Sequence, residues 1–268
     1  MPRRLFDWKS PELWLSEIEL YASHILTTRI KLKIASTKPK CWSDDFDWIP
    51  RAHVIEDFTE ALSVFYSHVR AFHACRPRDV ATYMHLGLRI QEPEALVQQF
   101  YEIYPDVPKC SLDLAVENHR ARTKSERGKL WVVLSSADFV KDCGHYLIQG
   151  SEYLMALAAT LCKIAPGIED YRSRLRNVGI PTIFEANIPI ECFHNYQMCL
   201  LARNVLSAWG QKVAHRDLGM SCNPCLEVVQ TVGPENIKGH THPQIICDPH
   251  RGFETHLNAQ LRCPNCAD

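Results

Sequence analysis

Glycine is scarce in this chain, 11 in 268 residues. There is neither G-x-x-x-x-G-K-[ST] nor G-x-G-x-x-G, so a bound nucleotide has no glycine-rich turn to cradle its phosphates and must be held by strands and side chains. The G-x-S-x-G elbow and the H-E-x-x-H helix are also missing, which sets aside the hydrolase and zinc-peptidase chemistries they serve. Charge of one sign is missing too: 30 Lys+Arg stand against 31 Asp+Glu. A basic nucleic-acid coat and an acidic disordered tail are both excluded as descriptions of the whole chain. No apolar run reaches the roughly 18 to 20 residues that a membrane helix needs. Residues Met1 to Trp8 carry no apolar stretch of the secretory kind. The expectation is a soluble, cytoplasmic chain with no membrane partner. Internal repeats and low-complexity tracts are absent, and 46% hydrophobic residues suffice for a packed core. The length fits one large domain, or a domain with an appendage.

Cysteine and histidine are plentiful, 12 and 13 residues. Eight cysteines are scattered singly, and most of them read as small, buried apolar side chains with reduced thiols. The other four form two C-x2-C pairs, Cys222-Asn-Pro-Cys225 and Cys263-Pro-Asn-Cys266. Two thiolates on one tight turn can reach the same ion, and a second pair closes a tetrahedral shell. Cys222, Cys225, Cys263 and Cys266 are therefore expected to hold a structural zinc, with a role in folding rather than chemistry. His240, His242 and His250 form the densest histidine stretch. They read first as a loop lining a cleft, with a three-histidine metal site as the alternative.

Apolar periodicity predicts a long helix over about 10–35, a loop from Ser36 to Pro50, and a second helix over about 54–66. Beyond that region the spacing predicts strands at 68–75, 129–135, 181–188 and 226–232. Helices are predicted over 78–85, 92–104, 111–127, 145–161 and 193–209. The fold class is α+β, with a helical region at 1–66 in front of a mixed body at 67–268, whose last part, 222–268, carries the zinc knuckle.

Three segments point to chemistry. The first is Val69-Arg-Ala-Phe-His73-Ala74-Cys75-Arg76, followed by a short helix and Gly87-Leu88. The second is the strand from Leu130 to Ser136 leading to His145-Tyr146 and Gly150-Ser-Glu152-Tyr153. The third is Leu226-Glu227-Val-Val-Gln-Thr-Val-Gly-Pro234-Glu-Asn-Ile237. In that order and at those distances they resemble the ADP-ribosyltransferase fold, in particular its bacterial toxin-like members with a His-Tyr-Glu type site. Ala74-Cys75 departs from the Gly-Thr usual after the histidine, and the middle motif is ambiguous among Ser135, Ser136, Tyr146 and Tyr153.

The resemblance implies a split β-sheet core and transfer of ADP-ribose from NAD to a macromolecule, as in toxins of toxin-antitoxin or phage-defence systems. It implies that His73 hydrogen-bonds a ribose, Tyr146 stacks on the nicotinamide and Glu227 is the catalytic acid. Ala74, Ser135 and Tyr153 are further cofactor-binding candidates. Cleavage of nicotinamide builds oxocarbenium character at the ribose, which a nearby carboxylate stabilises. Glu152 and Glu191 are rival acids, and Arg76 is a candidate for the pyrophosphate because a planar cation suits it. The basic clusters Arg120 to Lys129 and Arg172, Arg174 and Arg176 read as solvated faces. If they flank a cleft they favour a phosphate-rich acceptor, which sets RNA or DNA beside a protein side chain as acceptor. An antitoxin partner, an NAD glycohydrolase and a non-catalytic zinc module that binds nucleic acid complete the expectations.

Overall fold

The structure, a computed structural model, describes residues 4–36, 53–166, 170–214 and 224–266. Cys222 and nearly all of the predicted loop at 36–50 lie outside them. Six strands form one sheet: β1 (Leu5–Phe6), β2 (His68–Cys75), β3 (Leu130–Val133), β4 (Thr182–Pro189), β5 (Cys225–Val228) and β6 (Ile237–Thr241). Their order is β5-β3-β2-β4-β6, with β1 added on β2. β1 runs parallel to β2, and β6 antiparallel to β4 with Phe184 opposite His240. β7 (Ile245–Asp248) and β8 (Glu254–Leu257) form a separate antiparallel pair, with Ile245 opposite Leu257.

The helices are α1 (Pro11–Ala22), α2 (Thr28–Ser36), α3 (Val54–Phe65), α4 (Val80–Leu86), α5 (Pro93–Ile103), α6 (Lys109–Asn118), α7 (Arg120–Glu126), α8 (Ala137–Lys141), α9 (His145–Ile148), α10 (Glu152–Ile164), α11 (Arg172–Leu175) and α12 (Asn195–Val213). The architecture is mixed helix and sheet, as the periodicity predicts. Three predicted helices are each broken in two, and local chemistry explains the breaks. Between α1 and α2 the carbonyl of Thr27 accepts from Ile30 and Lys31, restarting the helix after a turn. His119 separates α6 from α7. Gly150, at φ +82°, ends the helical stretch begun at His145, and the Ser151 side chain caps α10 by accepting from the Tyr153 amide.

The chain forms two compact units. Unit 1 comprises Met1–Ala71, Trp131–Ser135 and Asn187–Val228; unit 2 comprises Phe72–Leu130, Ser136–Ala186 and Val229–Asp268. Unit 1 takes in the whole predicted helical region and adds β5, α12 and most of β3 to it. Its interior is aromatic: Phe6, Trp8, Trp14 and Tyr66 are all buried, and the Trp8 and Trp14 rings stack with centroids 5.4 Å apart. α3 packs against α12, and Phe58 and Leu62 of the first and Leu201 and Val205 of the second are fully buried. In unit 2, α10 is the central helix. Its Tyr153, Leu157, Ala158 and Leu161 bury against Phe100, Tyr104, Leu112 and Ala115 of α5 and α6 and the loop after α5. Each such large apolar side chain contributes about 1.5–3 kcal/mol on burial.

Candidate functional site

Alternation along an extended segment puts His240, near the end of β6, and His242, just beyond it, on one face. Opposite them the turn Cys263–Cys266 closes with the Cys266 amide donating to the Cys263 carbonyl at 3.1 Å. The four side chains converge. His240 Nε2 lies 3.3 Å from Cys263 Sγ and 3.6 Å from Cys266 Sγ, and the two sulfurs are 3.9 Å apart. One donor atom from each of His240, His242, Cys263 and Cys266 falls within 4.8 Å of all the others, so this group can hold a metal ion. Burial, reinforced by His242, lowers the pKa of His240 and favours the neutral imidazole, while burial pushes the Cys263 thiol up.

The structure thus joins the second cysteine pair to two histidines, whereas the sequence paired it with the first cysteine pair. Cys225 lies exposed at the start of β5 in unit 1 and is not in the group, and Cys222 is outside the described residues. His250 also leaves the histidine trio. Its ring sits 5.0 Å from that of His145 instead.

A second polar cluster forms at the start of α10. The Tyr146 hydroxyl donates to Glu152 Oε1 at 2.8 Å, His145 Nε2 lies 3.4 Å from the same oxygen, and Arg122 donates to Oε2 at 3.3 Å. The hydrogen bond from His145, then that from Tyr146, outweigh partial burial and hold the Glu152 carboxyl at a pKa of about 2. Glu152 is therefore ionised at neutral pH, which suits stabilisation of positive charge and not proton donation.

The other sequence candidates are distributed as follows. His73 is half-buried on β2 in unit 2, and Ala74 beside it is buried. Ser135, just after β3, belongs to unit 1, as do Glu191 and Glu227; Glu227 is half-buried on β5 between the buried Leu226 and Val228. Neither unit alone contains His73, Tyr146 and Glu227 together.

Two candidates need correction. Tyr153 is not placed to bind a cofactor: it is 1% exposed in the α10 core, with its hydroxyl on Thr123 at 2.6 Å. Arg76 is not placed to bind a pyrophosphate. Its Nε donates to Val178, its Nη1 to Leu147, and its Nη2 to Arg176 and Gly179, all main-chain carbonyls at 2.6–2.9 Å. Four of the five donors of a guanidinium are spent inside the fold. Burial, then the neighbouring Arg176, lower its pKa to about 10.

The basic clusters are largely neutralised. Arg120 pairs with Glu117, Arg122 with Glu126 and Glu152, and Arg127 with Glu94. Arg172, Arg174 and Arg176 pair with Asp170, Asp106 and Asp248. Around a cavity of about 460 Å³ lined by Arg120, Lys124 and Arg127, the carboxylates Glu94 and Glu117 offset most of the positive charge. That is a weak electrostatic footprint for a phosphate backbone. No helix among the described residues is long and apolar enough to cross a membrane. No family model, curated protein or solved structure matches the chain.

Proposed function

We propose that this chain transfers ADP-ribose from NAD to a macromolecular acceptor, a nucleic acid or a protein. The observation that carries the reading is the meeting, within unit 2, of segments far apart in sequence. Leu88 and Val232 exchange both main-chain hydrogen bonds at 2.9 Å, pairing the end of the first segment with the third. Gly87 makes the approach possible. It sits at φ +81°, and a Cβ there would lie 1.9 Å from the Val232 carbonyl oxygen. Arg76 of the first segment grips Leu147 of the second.

In this reading the bond between nicotinamide and ribose C1′ breaks and neutral nicotinamide leaves. A nucleophilic N or O of the acceptor bonds to C1′ and loses its proton to solvent. Glu227 stabilises the developing positive charge, His73 holds a ribose hydroxyl, and the ionised Glu152 fixes the hydroxyl of Tyr146, whose ring faces the nicotinamide. A role as a toxin with an antitoxin partner follows by analogy only.

The test is nicotinamide release and transfer of label from NAD to added RNA, DNA and protein. Wild type should release nicotinamide, Glu227→Gln should lose at least 100-fold, and Glu152→Gln should lose about tenfold, as expected for loss of one charge-stabilising contact and of one positioning contact. Free ADP-ribose without a labelled acceptor would make the chain a glycohydrolase. No nicotinamide release from a folded wild type, or full activity in Glu227→Gln, would overturn the reading.

A further inference from the structure

We infer that His240, His242, Cys263 and Cys266 bind one zinc ion in a closed, four-ligand site that fastens the segment at 258–266 to β6. Several independent features point there. The first is the orientation of His242. Its side chain is 8% exposed, and its Nδ1 lies 2.9 Å from the Pro181 carbonyl. A carbonyl only accepts, so Nδ1 carries the proton and Nε2 is left with its lone pair. That Nε2 is buried, and no protein group hydrogen-bonds it. Thr182, whose own proton goes to the Ile180 carbonyl, adds a second acceptor for Nδ1 at 3.3 Å. An imidazole held by a carbonyl on one nitrogen and bare on the other is how a metal-bound histidine is oriented.

The second feature is size. With Zn–S near 2.3 Å and Zn–N near 2.0–2.1 Å, a tetrahedron has S–S edges of about 3.8 Å and N–S edges of about 3.6 Å. The observed separations are 3.9 Å between sulfurs and 3.3 and 3.6 Å from nitrogen to sulfur. A disulfide, at about 2.05 Å, does not fit that sulfur separation. The Cys263 amide donates to Cys266 Sγ at 3.3 Å, holding that sulfur within the turn.

The third feature is what else holds this segment. Among the described residues no helix or strand follows Leu257, and from Ala259 to Cys266 every side chain except the two cysteines is exposed. Asn258 ties the start of the tail to Pro243 and Gln244. Beyond it there is no apolar burial to offset the lost chain entropy. Two thiolates with two neutral imidazoles select zinc over magnesium or calcium, and four protein ligands leave no open position, so the role is structural.

The experiment is metal analysis of the full chain purified without chelator, expected to give one zinc per chain. Cobalt substitution should give intense tetrahedral ligand-field bands and thiolate-to-cobalt charge transfer. Cys263→Ser/Cys266→Ser and His240→Ala/His242→Ala should each lose the ion, and Cys225→Ser should keep it. Should the substituted chains not fold, wild type decides: a chelator should expose the segment at 258–266 to protease, and zinc alone should restore protection. A folded wild type without zinc, a Cys263–Cys266 disulfide in place of the ion, or zinc retained without both histidines would overturn the proposal. None of these readouts is enzymatic, so the site stands or falls apart from the ADP-ribosyl reading.

Discussion

Unit 1 and the C-terminal part of unit 2 are held by different forces. In unit 1, aromatic and aliphatic side chains from α1, α3 and α12 close on one another, and Trp8, Trp14, Phe6 and Tyr66 are all buried. In the β7–β8 region the balance is reversed. Ile245 and Leu257 stand opposite each other yet are 57% and 69% exposed, and Phe253 is 58% exposed. Ile246 of β7 is the buried exception, packed where α8 and α9 meet the strand, and polar ties supply much of the rest: Arg176 on Asp248, Asn258 on two carbonyls, and the His/Cys group. A region that buries little hydrocarbon needs directional bonds, because only these offset chain entropy when the hydrophobic contribution is small.

That contrast can be broken or sharpened by substitution. Trp14→Ala deletes a side chain that is 1% exposed, and should cost unit 1 about 3–5 kcal/mol in chemical denaturation. Arg76→Ala leaves carbonyls of Leu147, Arg176, Val178 and Gly179 without their donor and should cost about 3 kcal/mol. Lysine should not rescue it, since one ammonium cannot reproduce the guanidinium fork. Equal losses for Arg76→Ala and Arg76→Lys would support the fork, and full rescue by lysine would sink it. Gly87→Ala forces a Cβ against the Val232 carbonyl at positive φ and should cost about 1–3 kcal/mol.

The smallest effect concerns acid. The folded pKa of Glu152, about 2, lies below its ordinary 4.5. Its contribution is therefore fully present above about pH 4.5 and is lost as pH falls through about 2. Because the carboxylate is half exposed, Glu152→Gln should cost under about 1 kcal/mol at pH 7. The difference from wild type should vanish near pH 2; a constant difference across the titration would remove the assignment.

Much of the fold was legible because its signals are local. The apolar stretches at 68–75 and 182–189 are strands, and Ile55 to Phe65 lies in one helix, as their periods require. The break at Gly150-Ser151-Glu152 was missed by the periodicity, which ran one helix over 145–161; the glycine at positive φ and the serine cap interrupt it locally. The Arg76 clamp was not readable. All four carbonyls it binds belong to segments 71 to 103 residues away, and main-chain acceptors leave no mark in the side-chain sequence.

The candidate metal group shows the same division at one site. Residue types and short spacing alone settled that Cys263 and Cys266 share a turn; that His240 and His242 share a face came only with the strand β6, where the sequence read a loop. Which pair would meet which depended on the chain folding back through β7 and β8, 23 residues from His240 to Cys263. Spacing arithmetic matched cysteine with cysteine. The tertiary structure matched cysteine with histidine, because convergence in space is set by how strands pair and not by likeness of residues.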